Sequence, residues 1–255
     1  MRIAILQPTF LPWLGWFDIA DQVDSLVILD DVAFSKQSWQ QRNRLRTLNG
    51  LAYATVPVLT KGRSGQTILD VEIADARFVS KLERTISGSY AGAPYYKEFF
   101  PGFCEALRKA AATGRLSELN LGMIVWFFSV IGISTPWQAS STLQATGKRG
   151  EHVAALCELV GATEYLSPAG SEEYLLQDRD AFDRRHIQVQ LHEYIHPQYQ
   201  QAFQPFIPFA SVLDLLLNEG PRALETIRSG RRAPRALGKT EFANLQLQGK
   251  LDENT

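Results

Sequence analysis

Arg2-Ile-Ala-Ile-Leu6 runs directly into Gln7-Pro-Thr-Phe-Leu-Pro-Trp-Leu-Gly15, and a second apolar run, Ser25-Leu-Val-Ile-Leu29, ends in Asp30-Asp31. Apolar residues at successive positions mark strands buried on both faces. Between the runs, Trp16, Ile19, Ala20 and Val23 share one side of a short helix over 16–23. Strand, helix and strand in so few residues make a compact βαβ unit, which should be parallel and right-handed. Ligands of open α/β sheets sit in the crevice beyond the carboxyl ends of the strands. Both strand ends are therefore expected to border the site.

Working outward, Leu51 to Val58 reads as a third strand, with Pro57 arguing for an edge or a bulge. Gly62-Arg-Ser-Gly65 is a turn, and Ile68 to Ile73 alternates well enough for a returning strand. From Ala76 to about Ile131 the spacing is helical, broken at Gly92-Ala-Pro94, Pro101-Gly102 and Gly114. Arg149 to Val160 is an amphipathic helix ending at Gly161, a natural C-terminal cap position for glycine. Thr163 to Ser167 is a strand, Ser171 to Leu176 a helical turn or two, His186 to His192 a strand, and Ala210 to Asn218 an apolar helix. The fold class is α/β, a mainly parallel open sheet flanked by helices, with a helical insertion or lid around 76–131. The expected organisation is one α/β domain over 1–220. A helical turn and a poorly ordered basic and polar tail follow over 221–255.

The bulk numbers fit an ordinary globular chain: 255 residues, 45% hydrophobic, net charge −1. That charge balance gives no global reason to bind nucleic acid or a membrane surface. The longest apolar candidate, Leu121 to Ile133, contains Gly122 and Gly132 and falls short of the ~20 residues a membrane span needs. The N-terminus carries no secretory signal, since its apolar run stops at Gln7-Pro8. A cytoplasmic protein is expected. Cys104 and Cys157 lie in apolar helical contexts and read as small buried hydrophobes.

Several stretches carry chemistry. Pro8 and Pro12 stiffen the first loop, Trp13 supplies an aromatic face, and Gly15 permits close approach to a helix N-terminus suited to phosphate. Aromatic packing over the sheet end is the alternative. Asp30-Asp31 offers a base or a Mg²⁺ ligand, with Asp31 the candidate for the metal; a solvated turn with one Asp capping a helix is the alternative. Trp39-Gln-Gln-Arg42-Asn43-Arg44 joins a stacking face to a donor-rich anion-binding cluster. The Arg228 to Arg235 cluster reads as a solvated face.

Ser140 to Gly150, with Lys148, suits a phosphate at the start of the following helix, though an N-cap by Thr146 explains part of it. Tyr165 and Ser167 lie at another strand end. His192 and His196 are four apart, but Pro197 breaks a shared helix and zinc lacks a third ligand. His196 is taken as a catalytic candidate and His152 as packing.

These stretches together resemble the WbqC-like family. The pattern runs through Gln7 to Phe17, Leu29 to Val32 and Trp39 to Arg44, then Ser140-Ser141, Thr146-Gly-Lys148, Tyr165-Leu-Ser167, and His196 to Gly220. Phe10 and Trp16 stand where tyrosine is common, and Ala33 where glutamine is usual. The resemblance implies a setting in bacterial surface-polysaccharide (O-antigen, lipopolysaccharide) gene clusters, among enzymes of amino sugars. It implies no settled reaction.

The combined expectation is a transferase or ATP-dependent amide ligase that joins an acyl or aminoacyl group to a nucleotide-linked amino sugar. Arg42, Arg44 and Lys148 would hold phosphates, and Asp30 or Asp31 would take the amine proton. Trp13 and Trp39 would shape the pocket, with Gln7 and Asn43 giving neutral hydrogen bonds. The cofactor expectation is ATP with Mg²⁺ or an activated acyl donor, and the partner a nucleotide-linked sugar or other anionic small molecule. A nucleotide-sugar glycosyltransferase and a non-catalytic pathway binding protein are the alternatives, the first weakened by the absence of an Asp-x-Asp pair.

Overall fold

Residues 1–237 are described by the computed structural model; the expected tail over 238–255 lies outside the described residues. β1 (Arg2–Leu6) pairs in parallel with β2 (Ser25–Ile28), Ile3 opposite Ser25 and Leu6 opposite Ile28. The helix between them, α1 (Leu14–Ala20), is seven residues long and buried along its whole length. The βαβ unit is therefore present, with its helix two residues earlier than the apolar spacing placed it.

Among the described residues six strands form one sheet in the order β5-β2-β1-β6-β7-β8. These further strands are β5 (Trp137–Ala139), β6 (Glu164–Pro168), β7 (Gln188–His192) and β8 (Arg235–Ala236). All pairings are parallel except β7 with β8. From β1 the chain moves outward through β2 to β5, then returns to β6 on the other side of β1. The strand order thus reverses between β1 and β6, the switch point where such sheets bind ligands. β8 and α9 (Ala223–Ser229) fall inside the stretch expected as a turn and tail, and both belong to this architecture.

The unbroken apolar runs follow from helices on both faces. Ala4, Leu6, Leu26 and Ile28 enter one core, and Ile3, Ile5 and Val27 enter the other. The first core is built by α1, α2 (Phe78–Tyr90), α3 (Tyr96–Ala111), α4 (Leu116–Ile131), α8 (Val212–Glu219) and α9. The second holds α5 (Gly150–Leu159), α6 (Glu172–Gln177) and α7 (Arg179–Asp183). The helical stretch at 76–131 is thus present as an insertion between the second strand and the fifth. It is a packed layer rather than a lid: Phe127 and Phe128 of α4 meet Phe17 edge-on at 5.6 and 6.1 Å.

Two local expectations are corrected. The strand expected over Leu51 to Val58 is β4 (Gly50–Thr55), and it pairs antiparallel with β3 (Arg42–Thr47) in a separate hairpin. The strand expected over Ile68 to Ile73 is a run of turns with isolated bridges at Thr67, Glu72 and Ile73. Its apolar content serves burial of Ile68 and Val71, both fully enclosed, without a ladder.

Candidate functional site

The loop after β1 is held from three sides. Asn43 of β3 donates to the Phe10 and Leu11 carbonyls at 3.2 and 2.8 Å. Asn120 of α4 donates to the Pro8 and Gln40 carbonyls at 2.8 and 2.7 Å. Val212 N–H donates to the Pro12 carbonyl at 2.8 Å. Leu11 takes a left-handed conformation, φ 44°, which a branched side chain adopts only where its surroundings impose it. Asn43 therefore braces the loop, and its amide donors are already used. Gln7 is exposed, and its Oε1 accepts from Gln40 at 2.9 Å.

Trp13 is the outcome of this bracing. Its ring stacks with His196 (6.3 Å, 17°) and meets Tyr194 edge-on at 5.6 Å. A Cβ on Gly15 would lie 2.3 Å from the Trp13 ring. Gly15 thus seats the indole over the first turn of α1, and it also borders a cavity at the strand ends. The expected phosphate site at that helix start is corrected accordingly: the helix is short and its first turn lies under a ring.

Two cavities share Trp13 and Trp16 as walls. The first, about 300 Å³, is bordered also by Trp39, Asn43, Arg44 and Phe209. Its charged group is Arg44, whose guanidinium lies 5.2 Å from the Trp39 ring and 6.0 Å from Phe209. Arg44 Nε is buried without a hydrogen-bond partner, and no carboxylate pairs with this arginine among the described residues. An unsatisfied buried donor in a folded protein calls for a missing partner such as a ligand or ion. Arg42 lies on the same strand, over the Tyr53 ring at 4.4 Å. Period-two alternation puts Arg42 and Arg44 on one face of the hairpin, so the expected anion-binding cluster lies on a strand face.

The second cavity, about 280 Å³, lies at the ends of β1, β6 and β7 and is bordered by Leu6, Pro168, Gly170, His192, Glu193 and Tyr194. Behind it stands a buried ionic cluster. His192 Nε2 is 2.7 Å from Asp18 Oδ2, and Asp18, fully enclosed, also accepts from Gln22 at 2.7 Å and Arg231 at 2.9 Å. Arg228 and Arg231 both reach Asp21. Burial pushes the Asp21 carboxyl up, but hydrogen bonds from the two arginines outweigh it and hold the group below the ordinary carboxylate range. The expected solvated face at 228–235 is thus corrected, since Arg228, Arg231 and Arg235 all carry ion pairs. Asp18 and Arg231 were not legible as partners, because 213 residues separate them.

Asp30 and Asp31 sit apart from both cavities' walls. Asp30 is buried, and its oxygens accept from the Ser140 hydroxyl (3.0 Å), Ser141 N–H (3.0 Å) and the Ser141 hydroxyl (2.9 Å). Asp31 Oδ1 lies 2.5 Å from Ser140 Oγ, and His152 Nε2 is 3.2 Å from Asp31 Oδ2. The pair ties β2 to the end of β5 and to α5, so His152 is a carboxylate partner rather than simple packing. With these oxygens engaged, the residues do not fit the Mg²⁺ site suggested for Asp31. Among the described residues no cluster of three or more His, Cys, Asp or Glu side chains could hold a metal.

The remaining expected residues separate. The start of α5 is covered by Asp178, which accepts from Gly150 N–H at 2.9 Å. A protein carboxylate already fills the place expected for phosphate, and Lys148 is exposed in the preceding loop. Tyr165 is buried in the second core, stacked on Phe182 at 5.9 Å, and Ser167 is fully enclosed. His196 Nδ1 meets the Pro197 carbonyl at 2.9 Å, while Nε2 is buried without a partner among Trp13, Phe206 and Phe209. Burial lowers its pKa, partly offset by that carbonyl, so the ring is neutral near neutrality. Burial also pushes the Cys104 and Cys157 thiols up to about 11 and about 12, which keeps both inert as nucleophiles.

The loop carrying Phe209 and His196 is fastened from beneath. Tyr199 and Gln201 donate to Asp214 at 2.6 and 2.9 Å, and Arg46 donates to the Phe203 and Pro205 carbonyls. Phe209 therefore joins the site through tertiary contacts that no local motif announces.

Comparison with known proteins matches residues 7–226 to the model of the WbqC-like protein family. A relative from Mycobacterium tuberculosis (strain ATCC 25618 / H37Rv), the uncharacterized protein Rv1507c, is 33% identical over 232 residues, covering 91% of this chain and 99% of its own. No solved structure matches at a significant level.

Proposed function

The chain belongs to the WbqC-like protein family, and from the chemistry of its cleft we propose that it is a transferase of surface-polysaccharide biosynthesis acting on a nucleotide-linked amino sugar. In this reading an acyl or aminoacyl group passes from an activated donor to the sugar amine. The observation that carries it is Arg44, unpaired and set between the Trp39 and Phe209 rings at the mouth of an aromatic cavity. A guanidinium suits a phosphate, and flat ring faces suit a base or a pyranose. Arg42, two residues away on the same face, adds positive charge. The engagement of Asp30 and Asp31 with Ser140, Ser141 and His152 favours a preactivated donor over a ligase whose Mg²⁺ those carboxylates would bind.

Ligand-dependent unfolding tests this cheaply. Binding to the folded state at about 100 times Kd stabilises by about 2.7 kcal/mol. UDP-linked hexosamines are expected to raise Tm by several degrees, and ATP with Mg²⁺ to leave it unchanged. A rise with ATP and Mg²⁺ alone would point to the ligase, and no response to any nucleotide would remove the reading.

A further inference from the structure

The second cavity and its histidine remain unused by the anion site at Arg44. We infer that this cavity is the amino-sugar subsite, and that His192, held by Asp18, is the group that takes the proton from the sugar's nucleophilic nitrogen or oxygen. The inference rests on the reading of the protein as a transferase and adds where its acceptor lies.

Three observations carry it. The cavity lies at the β1–β6 strand-order reversal, where an α/β sheet opens toward a ligand. Its walls are the Trp13, Trp16 and Tyr194 rings with few polar groups, a lining that suits the C–H face of a pyranose. His192 borders it with one ring nitrogen fixed on Asp18, while Nδ1 has no partner among the described residues. Glu193, beside it on the same wall, has its carboxylate paired with Arg235 at 3.0 Å.

A carboxylate behind an imidazole fixes its tautomer and stabilises the imidazolium that forms on proton uptake. Here the Nε2–H of His192 donates to Asp18, which leaves the Nδ1 lone pair for the substrate. Arg231 and Gln22 hold Asp18 in turn, making them positioning residues. The charged and titratable groups around the ring are Asp18 of α1, Glu193 and Tyr194 after β7, Arg231 after α9, and Arg235 of β8 paired to Glu193, with Asp21 and Arg228 behind. In the step itself the amine nitrogen bonds to the donor's acyl carbon while its proton passes to Nδ1. The bond from that carbon to the leaving group breaks, and the leaving group departs with the electron pair and is protonated. Trp13 and Trp16 wall both cavities, so a nucleotide at Arg44 and its sugar at His192 occupy adjoining sites.

Nitrogen NMR of the full chain with ¹⁵N-labelled histidine tests this without any variant. In the free protein, His192 Nε2–H is expected to donate to Asp18. Titrating glucosamine is expected to shift the Nδ1 resonance saturably, and to do so equally in Arg44→Ala, whose response to UDP is lost. A His192 signal unmoved by glucosamine, or an Nδ1–H tautomer, would overturn the subsite. A wild-type chain that ignores UDP while His192 still answers glucosamine would instead sink the anion-site reading and keep this one.

Discussion

Arg44 and Arg46 both leave Nε buried without a partner, but the Arg44 guanidinium lies by two ring faces and makes no ion pair among the described residues, while Arg46, two positions on, is nearly enclosed and donates through its other nitrogens to three carbonyls. One strand thus carries an arginine that is structurally spent and another that is not. That difference could not be read from Arg42-Asn-Arg44-Leu-Arg46, where all three arginines look alike. Trp13 and Gly15 show the opposite case, since the motif marked both positions but the reason differs from the expected one. Gly15→Ala forces the Trp13 indole out of its place, because the new Cβ would sit 2.3 Å from the ring. The expected cost is about 1–3 kcal/mol in urea unfolding, together with an altered tryptophan emission spectrum. His196 gives a second residue-scale test. Its pKa is lowered in the folded chain, so the stability it contributes is present above the ordinary 6.5 and lost as pH falls below it. Tm is expected to drop between about pH 7 and about pH 5.5, and His196→Phe to remove part of that drop.

At the scale of elements, the strands of the main sheet were legible wherever burial on both faces produced an unbroken apolar run, as in Ile3 to Leu6 and Ser25 to Ile28. β3 was not, because a hairpin strand with arginines on one face reads as a charge cluster. Ile68 to Ile73 failed the other way: two fully buried apolar residues three apart mimic a strand that the turns around them do not form. The helix α1 depends on partners its own sequence cannot reveal. Asp18 sits in a wholly buried helix, and Arg231 and His192 reach it from the far end of the chain. Arg231→Met leaves Asp18 with one fewer charge partner and Asp21 with Arg228 alone. A loss of about 3 kcal/mol is expected in denaturant unfolding. Asp21 loses one of the two arginines whose hydrogen bonds hold its carboxyl below 3.8. In the parent its stabilisation is present above that value and lost as pH falls through the lowered one, so the variant should lose less on acidification.

At the scale of the whole molecule, the sheet order places three strand ends at one crevice and two at another. The β1, β6 and β7 ends meet at the second of the cavities that Trp13 borders, whereas the β2 and β5 ends meet at Asp30, Asp31, Ser140 and His152. A sequence reading that treats both carboxylates and both basic stretches as one pocket merges these two places. The topology separates them, and it joins to the first a hairpin from residues 42–55 and a loop from residues 193–211 that lie far from it in sequence. Calorimetric titration with UDP-glucosamine, comparing the parent chain with Arg44→Ala and with Arg77→Ala as an exposed control, tests the central claim most directly. Loss of charge-assisted hydrogen bonds to phosphate of about 1.5–3 kcal/mol predicts binding weakened by roughly 10- to 100-fold in Arg44→Ala and unchanged in Arg77→Ala. Equal affinity in all three proteins would contradict it.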